Sequence, residues 1–352
     1  MQSFTNYEIA KTFTKKKYHV KTITPYYNTM SNSILSNSNN YPRQYKDKEK
    51  QCETNFTEGG PYWHLCTPGD RMSDIFATEE DFKFGMNNLA YCSMNRGFSI
   101  LAFSLMSNHI HIIAEGQYSE LELFFKKYRA RLSLYLSKHY YVCDLDNFKP
   151  QIIPINDLAY LRNSIAYVNR NAFVVDSNQT PFSYKWSSGM FFWGGIDLNE
   201  LNNMPRKKYT LREIRSLFMS GDIKLPDTYL MANDYVHPIS MCSVNRSLSF
   251  FRDAHHYFGL INYRNIESFK EIANQIGEQI FVSDYELNTI IYLTCKRDYQ
   301  VPNPTLLSPQ IKVEVARMMR TSYNATNKQI QRILKLDEKT VNSLFPLTAK
   351  KK

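Results

Sequence analysis

The sequence predicts an α+β protein: a ferredoxin-like core with an antiparallel sheet and helices packed on one face, followed by an all-helical C-terminal region. Two observations support this prediction. Between residues 62 and 155 the hydrophobic pattern follows the order β-α-β-β-α-β, which is the split β-α-β arrangement. From residue 199 on, the apolar residues recur at helical spacing and follow recognisable N-cap residues.

The first half of the core begins after Gly59-Gly60-Pro61. Residues 62–66 read as a strand that ends at Pro68-Gly69. Either Asp74 or Thr78 is expected to cap a helix through about residue 95. Two further strands, 98–106 and 109–115, are expected to pair across the tight connection Ser107-Asn108.

The second half of the core adds two helices and a strand. Ser119 and Glu122 form a capping-box pattern, which predicts that a helix begins there and continues to about residue 140. The later elements are a strand over 148–155 and a helix from Asn156 or Asp157 through Ala172, which has the apolar stripe Leu161, Ile165, Val168 and Ala172.

The C-terminal region shows several helix starts. These predict helices at Leu211–Met219 (capped by Thr210 and Glu213), Ser247–Tyr257, Ser268–Ile276, Pro309–Arg320, after Thr326 with Gln329, and after Asp337. The last two helices, joined by Lys335-Leu336, have the form of a helix-turn-helix. Its second helix is expected to present Lys339, Thr340, Asn342 and Ser343 to DNA; a plain helical bundle is the alternative.

Charge and composition indicate a partner class. The 43 Lys and Arg residues exceed the 33 Asp and Glu residues by 10, which favours a polyanion, either nucleic acid or an acidic membrane surface. The six cysteines include no Cys-x-x-Cys, so neither a zinc knuckle nor a disulfide framework is indicated. Since no segment approaches ~20 apolar residues and no secretory signal is recognisable, we expect a cytoplasmic, nucleoid-associated protein with no membrane partner.

Four segments are expected from these patterns. Residues 1–58, rich in Ser, Asn, Thr and Lys, are expected to form a disordered or flexible arm. They precede a catalytic domain at 59–195, a helical accessory region at 196–300 and a helix-turn-helix-like DNA-binding region at 301–352.

His109 and His111 are the residues on which a functional hypothesis depends. On a strand, residues two apart project to the same face, so the two imidazoles make half of a metal site. On the helix after residue 157, Asn163, Tyr167 and Asn171 follow one another every four residues and form a polar stripe. Tyr167 and Asn171 are therefore candidate partners of the histidines.

Three motifs occur in a fixed order: Met106-Ser107-Asn108-His109-x-His111, then Tyr167-Val168-Asn169-Arg170-Asn171, then Tyr184-Lys185-Trp186-Ser187-Ser188. Over roughly residues 60–193 the sequence resembles the REP-associated tyrosine transposases, which belong to the HUH superfamily of single-strand DNA transposases. The resemblance implies a metal held by His109, His111 and Asn171, with Tyr167 as the nucleophile. Family members usually continue with Asn-Pro-Val, whereas Asn171 is followed here by Ala172-Phe173.

The function implied by this resemblance is nicking and strand transfer on single-stranded or hairpin DNA through a 5′-phosphotyrosine. Mg²⁺ or Mn²⁺ is the expected cofactor, with Zn²⁺ left open. A non-catalytic DNA-binding regulator and a replication initiator or relaxase remain alternatives, and the protein is expected to act as a monomer or homodimer. His64 and Glu115 are secondary site candidates; the expected DNA contacts of the core are Lys126, Lys127, Arg129, Arg131, Arg170 and Trp186.

Overall fold

The computed structural model describes residues 43–69, 74–140, 145–175, 180, 182–193, 208–261, 265–278, 280 and 282–346. The first of these form helix α1, Arg43–Asn55, inside the stretch that we expected to be a flexible arm. Cys52 of this helix is buried, and Glu49 pairs with Arg162. The end of the expected arm is therefore folded, because it has apolar and charged partners. Residues 1–42 lie outside the described residues.

A four-stranded antiparallel sheet carries the histidine motif. Its strands pair in the order β2-β3-β1-β4, and each neighbouring pair is antiparallel. With the two helices between them, the strands follow the β-α-β-β-α-β order that the sequence predicted. The elements are β1 (Tyr62–Cys66), α2 (Glu79–Ser93), β2 (Phe98–Leu105), β3 (Ile110–Gly116), α3 (Tyr118–His139) and β4 (Gln151–Pro154).

The two helices of the β-α-β-β-α-β unit pack on one face of this sheet, as expected, and the helix that follows β4 covers the other face. Helices α2 and α3 pack on the face that carries Leu65 and Ile112. Helix α4 (Leu158–Val175) packs on the other face, against Cys66 and Ile113. The physical reason is that the histidine face is itself largely apolar and cannot remain in water.

The helix starts test the capping predictions. Thr78 caps α2 in a capping box with Asp81, and the Asp157 carboxylate accepts a hydrogen bond from the backbone N–H of Tyr160 in the first turn of α4. The capping box expected at Ser119 is wrong, because the N-cap residue of α3 is Gln117, two residues before Ser119. A serine inside the first turn no longer occupies the N-cap position from which its hydroxyl would accept an N–H.

The C-terminal region is mostly helical, but the expectation of an all-helical region was wrong. Residues Asn233 and Asp234, both with positive φ, form the turn of a short hairpin. The helix expected over 247–257 is two helices. The elements are α5 (Leu211–Leu217), β5 (Met231–Ala232), β6 (Tyr235–Val236), α6 (Val244–Leu248), α7 (Ala254–Ile261), α8 (Ile266–Gln275), α9 (Asp284–Asp298), α10 (Pro309–Tyr323), α11 (Asn327–Leu334) and α12 (Glu338–Leu344).

The turn between α11 and α12 explains how this helix pair forms without glycine. Lys335, in the turn, adopts the left-handed conformation that glycine usually supplies. Asn327 then donates from its side-chain amide to Asn342 and to the carbonyl of Phe345. The predicted caps Thr326 and Asp337 are both confirmed.

One hydrophobic cluster joins the histidine face of the sheet to the C-terminal helices. It contains Ile113 and Tyr167 as well as Phe269, Ile291 and Val341. Residues 48–352 accordingly form one compact unit by their contacts. Among the described residues, no helix combines the length and the apolar character needed to cross a membrane.

Candidate metal and nucleophile site

His109 and His111 meet on the face of the sheet that α4 covers. His111 belongs to β3, whereas His109 immediately precedes the first residue of that strand. Their ring centroids are 4.9 Å apart, and the side chain of His111 is fully buried. The structure therefore brings together the two imidazoles that the sequence spacing pairs.

Tyr167 lies beside the histidines because of the way α4 packs. Leu161, Ile165 and Val168 are fully buried and hold the helix against the sheet, which turns Tyr167 toward β3. The Tyr167 ring centroid is 5.8 Å from that of His111. Asn171 follows one helical turn later, and its side-chain nitrogen is buried with no hydrogen-bond partner among the described residues.

Glu278 is a candidate site residue that the sequence did not reveal. The hydroxyl of Tyr167 donates to Glu278 Oε2 over 3.0 Å. The other oxygen, Oε1, lies 3.4 Å from His111 Nε2. The carboxylate thus contacts both the predicted nucleophile and a predicted metal ligand.

A glycine turn places Glu278 at this position. Gly277, with φ of +69°, follows helix α8 and donates to the carbonyl of Asn274, while the N–H of Glu278 donates to the carbonyl of Ala273. These two bonds form a Schellman motif, the common glycine-dependent end of a helix. Gly277 was the one sequence signal near Glu278; it marks a helix end, but nothing in it predicts that the next side chain reaches the histidines.

Two groups of side chains have the spacing of metal ligands. In the first, one ligand atom from each of His109, His111 and Glu278 lies within 4.8 Å of the others. Two imidazoles and one carboxylate are a donor set that binds divalent cations. The second group combines His64, Cys66 and His111, all of them buried, whereas His109 and Glu278 of the first group are partly exposed.

Burial keeps both histidines of the first group neutral near pH 7. It lowers the pKa of His109 to about 4 and that of His111 to about 3. Neutral imidazole is the form that binds metals. His109 Nδ1 lies 2.6 Å from Asn108 Oδ1, an acceptor, so the proton of this ring is on Nδ1 and its Nε2 is left as the ligand atom.

His64 holds the second imidazole in place. His64 Nε2 lies 3.2 Å from His111 Nδ1, so one ring donates to the other. When Nε2 of His111 binds a cation, the proton must be on Nδ1 and is donated to His64. His64 is fully buried, so it positions His111 and has no access to substrate.

Tyr167 is protonated in this arrangement. Burial raises the pKa of Tyr167 well above its usual value, and the negative charge of Glu278 raises it further. Its side chain is 3% exposed. A cavity of about 440 Å³ borders Glu278, the residue that contacts Tyr167; its lining also includes Lys270, Asn274, Arg320, Ser322 and Asn324.

Three other predicted site residues have structural partners instead. Glu115 accepts two hydrogen bonds from Arg246 and is not in the His109-His111-Glu278 group. Arg170 is buried against Glu286 and Phe269. Trp186 is 5% exposed and stacks on Phe82, because its own chain segment pairs with the edge strand β2. Arg170 and Trp186 are therefore both buried, with partners inside the protein, and their contact with DNA stays a prediction.

The basic side of α3 is only partly available to DNA. Lys126 is exposed. Lys127 lies over the Tyr91 ring, Arg129 donates to the carbonyl of Leu145, and Arg131 donates to Asn88. Three of the four cationic side chains therefore have partners within the protein, because long cationic side chains also bind nearby carbonyl groups and aromatic rings. That all four bind phosphate stays a prediction.

The second helix of the helix-turn-helix-like pair presents fewer groups than expected. The hydroxyl of Thr340 donates to its N-cap residue Asp337, and Asn342 accepts from Asn327. Lys339 and Ser343 are exposed. Of the four predicted contacts on α12, these two are the side chains that remain open to solvent.

No protein-family model and no curated protein matches this chain. Among solved structures, one of a REP-associated tyrosine transposase bound to a REP hairpin is similar to part of it, with 15% sequence identity and a TM-score of 0.30. The similarity covers 40% of this chain and 82% of that chain. A TM-score of 0.30 does not define a shared fold, so the functional conclusion depends on the site residues.

Proposed function

We propose that this protein is a divalent-metal-dependent enzyme of the transposase type that nicks single-stranded or hairpin DNA and transfers the strand through a 5′-phosphotyrosine on Tyr167. One observation carries the proposal: the Tyr167 ring lies 5.8 Å from His111 within a cluster whose side chains fit a divalent cation. The motif order around His109, His111 and Tyr167, in which the sequence resembles the REP-associated tyrosine transposases, supports the same function.

The side chains present fit such a metal. His111 Nε2 is buried without a hydrogen-bond partner among the described residues, as expected for an atom whose partner is an ion. His109, His111 and, by the resemblance, Asn171 would hold Mg²⁺ or Mn²⁺, and two imidazoles favour Mn²⁺. When bound, the ion neutralises charge on the scissile phosphate and orients it.

The chain supplies the nucleophile and holds its proton. In the attack, a bond forms between Tyr167 Oη and the phosphorus, and the bond to the 3′ oxygen breaks, giving a free 3′-hydroxyl. Tyr167 Oη donates a hydrogen bond to Glu278 Oε2, so in this proposal the carboxylate accepts the phenol proton as the new bond forms, and the departing 3′ oxygen takes up a proton from water. Because the covalent link keeps the phosphodiester energy, a second 3′-hydroxyl rejoins the strand without ATP.

A covalent-trapping experiment tests the proposal. We would incubate the full chain with labelled hairpin DNA from around its own gene and Mn²⁺ or Mg²⁺, and separate the products on a denaturing gel. We expect a protein-linked band that requires metal and disappears in Tyr167→Phe. Tyr160→Phe is the matched control, since Tyr160 lies on the same helix and its hydroxyl donates to Gln275. A band that persists in Tyr167→Phe would exclude this nucleophile.

The helix pair α11–α12 favours a second candidate function, a DNA-binding regulator without catalysis. Lys339 and Ser343 are exposed on α12, the helix that a helix-turn-helix would place in the major groove. Tight, salt-sensitive binding of the same hairpins with no covalent band at any metal concentration would favour this function. A replication initiator or relaxase would use Tyr167 as well and would differ in its DNA target.

A further inference from the structure

We infer that Glu278 is the carboxylate ligand of the metal held by His109 and His111, and that the C-terminal half of the chain thereby completes the metal site. The inference deepens the proposed function and rests on it. Glu278 lies beyond residue 195, outside the segment in which the sequence motifs are found.

Geometry is the first argument. Glu278 Oε1 is 3.4 Å from His111 Nε2, and a ligand atom of His109 lies within 4.8 Å of both residues. Atoms that share a cation approach one another at such distances, because each stands about 2 Å from the ion. The other oxygen, Oε2, accepts from Tyr167, which fixes the orientation of the carboxylate.

The donor set is the second argument. His109 and His111 offer imidazole nitrogens, and Asn171 would offer an amide oxygen. Glu278, whose side chain is 10% exposed, adds a carboxylate oxygen beside His111. Carboxylate oxygens are ligands that Mg²⁺ and Mn²⁺ favour, so Glu278 supplies the donor type that the imidazoles lack.

The local backbone is the third argument. The Schellman motif at Gly277 ends α8 at one defined residue, and Ile276 on one side and Ile280 on the other are buried in the core. Glu278 is therefore presented on an anchored turn and not on a free loop. Ligands held on such supported positions keep their geometry when the ion is absent.

Mn²⁺ binding by the full chain tests the inference without any assay of DNA cleavage. We would titrate Mn²⁺ by calorimetry and by the electron paramagnetic resonance signal of the free ion. Glu278→Gln keeps the shape of the side chain and an acceptor for Tyr167 but removes the charge. The matched control is Glu271→Gln, which removes an exposed carboxylate from α8. His111→Ala is the control for loss of the histidine site.

We expect one Mn²⁺ per wild-type chain, at least a tenfold weaker dissociation constant in Glu278→Gln, and wild-type affinity in Glu271→Gln. If Glu278→Gln binds as wild type does while His111→Ala does not, Glu278 is not a ligand and the proposed function is untouched. If wild type binds no Mn²⁺ or Mg²⁺, the metal-dependent function fails as well. Should Glu278→Gln not fold, Glu278→Asp, which withdraws the oxygens by one methylene, is expected to show the same loss.

Discussion

At the scale of single residues, the site depends on side chains that never touch substrate. His64 is fully buried and its Nε2 is 3.2 Å from His111 Nδ1, so it fixes both the ring orientation and the tautomer of His111. Residues in this role are worth roughly 10- to 100-fold in metal affinity. His64 was visible in the sequence only as a histidine on the first strand; its role follows from the pairing of β1 with β3.

We therefore expect His64→Ala to weaken Mn²⁺ binding by about tenfold or more, since His111 loses the acceptor of its Nδ1 proton. His64→Gln should recover part of this affinity, because its amide oxygen reaches a position close to that of Nε2. Calorimetric titration of the three proteins measures the effect. Equal affinities in wild type and His64→Ala would show that His64 is only a packing residue.

Gly69 is a second such residue, because its backbone lies close to the ring of His109. A Cβ atom at this position would lie 2.6 Å from His109 Nδ1, closer than van der Waals contact allows. Gly69→Ala should therefore displace the His109 ring from Asn108 and weaken Mn²⁺ binding by about tenfold. Gly221→Ala is the control, because a Cβ there meets no atom within 4 Å. If both variants bind Mn²⁺ like wild type, His109 tolerates the displacement.

At the scale of elements, the sequence predicted what depends on local pattern. The β-α-β-β-α-β order was correct, and so were the caps Thr78, Thr210, Thr326 and Asp337, since each depends on a few neighbouring residues. The sequence did not predict α9, although Ser283 and Glu286 form a capping box there. The covering of the histidine face by C-terminal helices could not be predicted, because it depends on contacts between residues far apart in the chain.

Arg170 has a long-range partner that its sequence motif does not indicate. Its place beside Tyr167 indicated a DNA contact, but it pairs with Glu286 and joins α4 to α9 in the core. Arg170→Met would leave the carboxylate of Glu286 buried without its partner. We expect a loss of about 3 kcal/mol or more in the free energy of unfolding, measured by urea denaturation.

Lys126→Met, at an exposed position on α3, is the matched control and should change stability by less than about 0.5 kcal/mol. If Arg170→Met loses DNA affinity and its stability is unchanged, Arg170 contacts DNA and does not stabilise the core.

At the scale of the whole molecule, charge pairs tie distant segments together and make stability depend on pH. Glu49 pairs with Arg162, which is buried, and with Arg252. Burial of Glu49 raises its pKa, but its hydrogen bond to Arg162 and the charges of both arginines outweigh burial, so the pKa is lowered overall. A carboxyl whose pKa is lower in the folded state stabilises the fold above its unfolded pKa, and this contribution is lost as the pH falls through the folded value.

Glu49→Gln should accordingly destabilise the protein by about 1 kcal/mol at pH 7, because it leaves Arg162 without its ion pair. The difference between wild type and variant should shrink as the pH falls below about 4.5, the ordinary pKa of glutamate, where Glu49 of wild type also becomes protonated. Urea denaturation at several pH values measures it. A difference that stays constant between pH 7 and pH 3 would show that the charge of Glu49 is not what stabilises the fold.

The candidate site draws on residues from both halves of the chain. The resemblance ends near residue 193, and the sequence predicted a catalytic domain at 59–195. In the structure, Ile113 and Tyr167 share one hydrophobic cluster with Phe269, Ile291 and Val341, and Glu278 reaches the histidines from the same C-terminal half. Exposing the α4 side of this cluster to water would cost on the order of 25 cal/mol for each Å² of apolar surface.

We expect that a chain ending at residue 195 does not form a cooperative fold, because α4 loses the helices that bury it. Thermal unfolding followed by circular dichroism should then show a broad transition, and a dye that binds apolar surface should fluoresce strongly with this fragment but not with the full chain. Co-expression with residues 196–352 should restore a sharp transition, since the missing surface is supplied in trans. A fragment that melts cooperatively by itself and binds Mn²⁺ as the full chain does would establish 59–195 as an independent domain and would also separate Glu278 from the metal site.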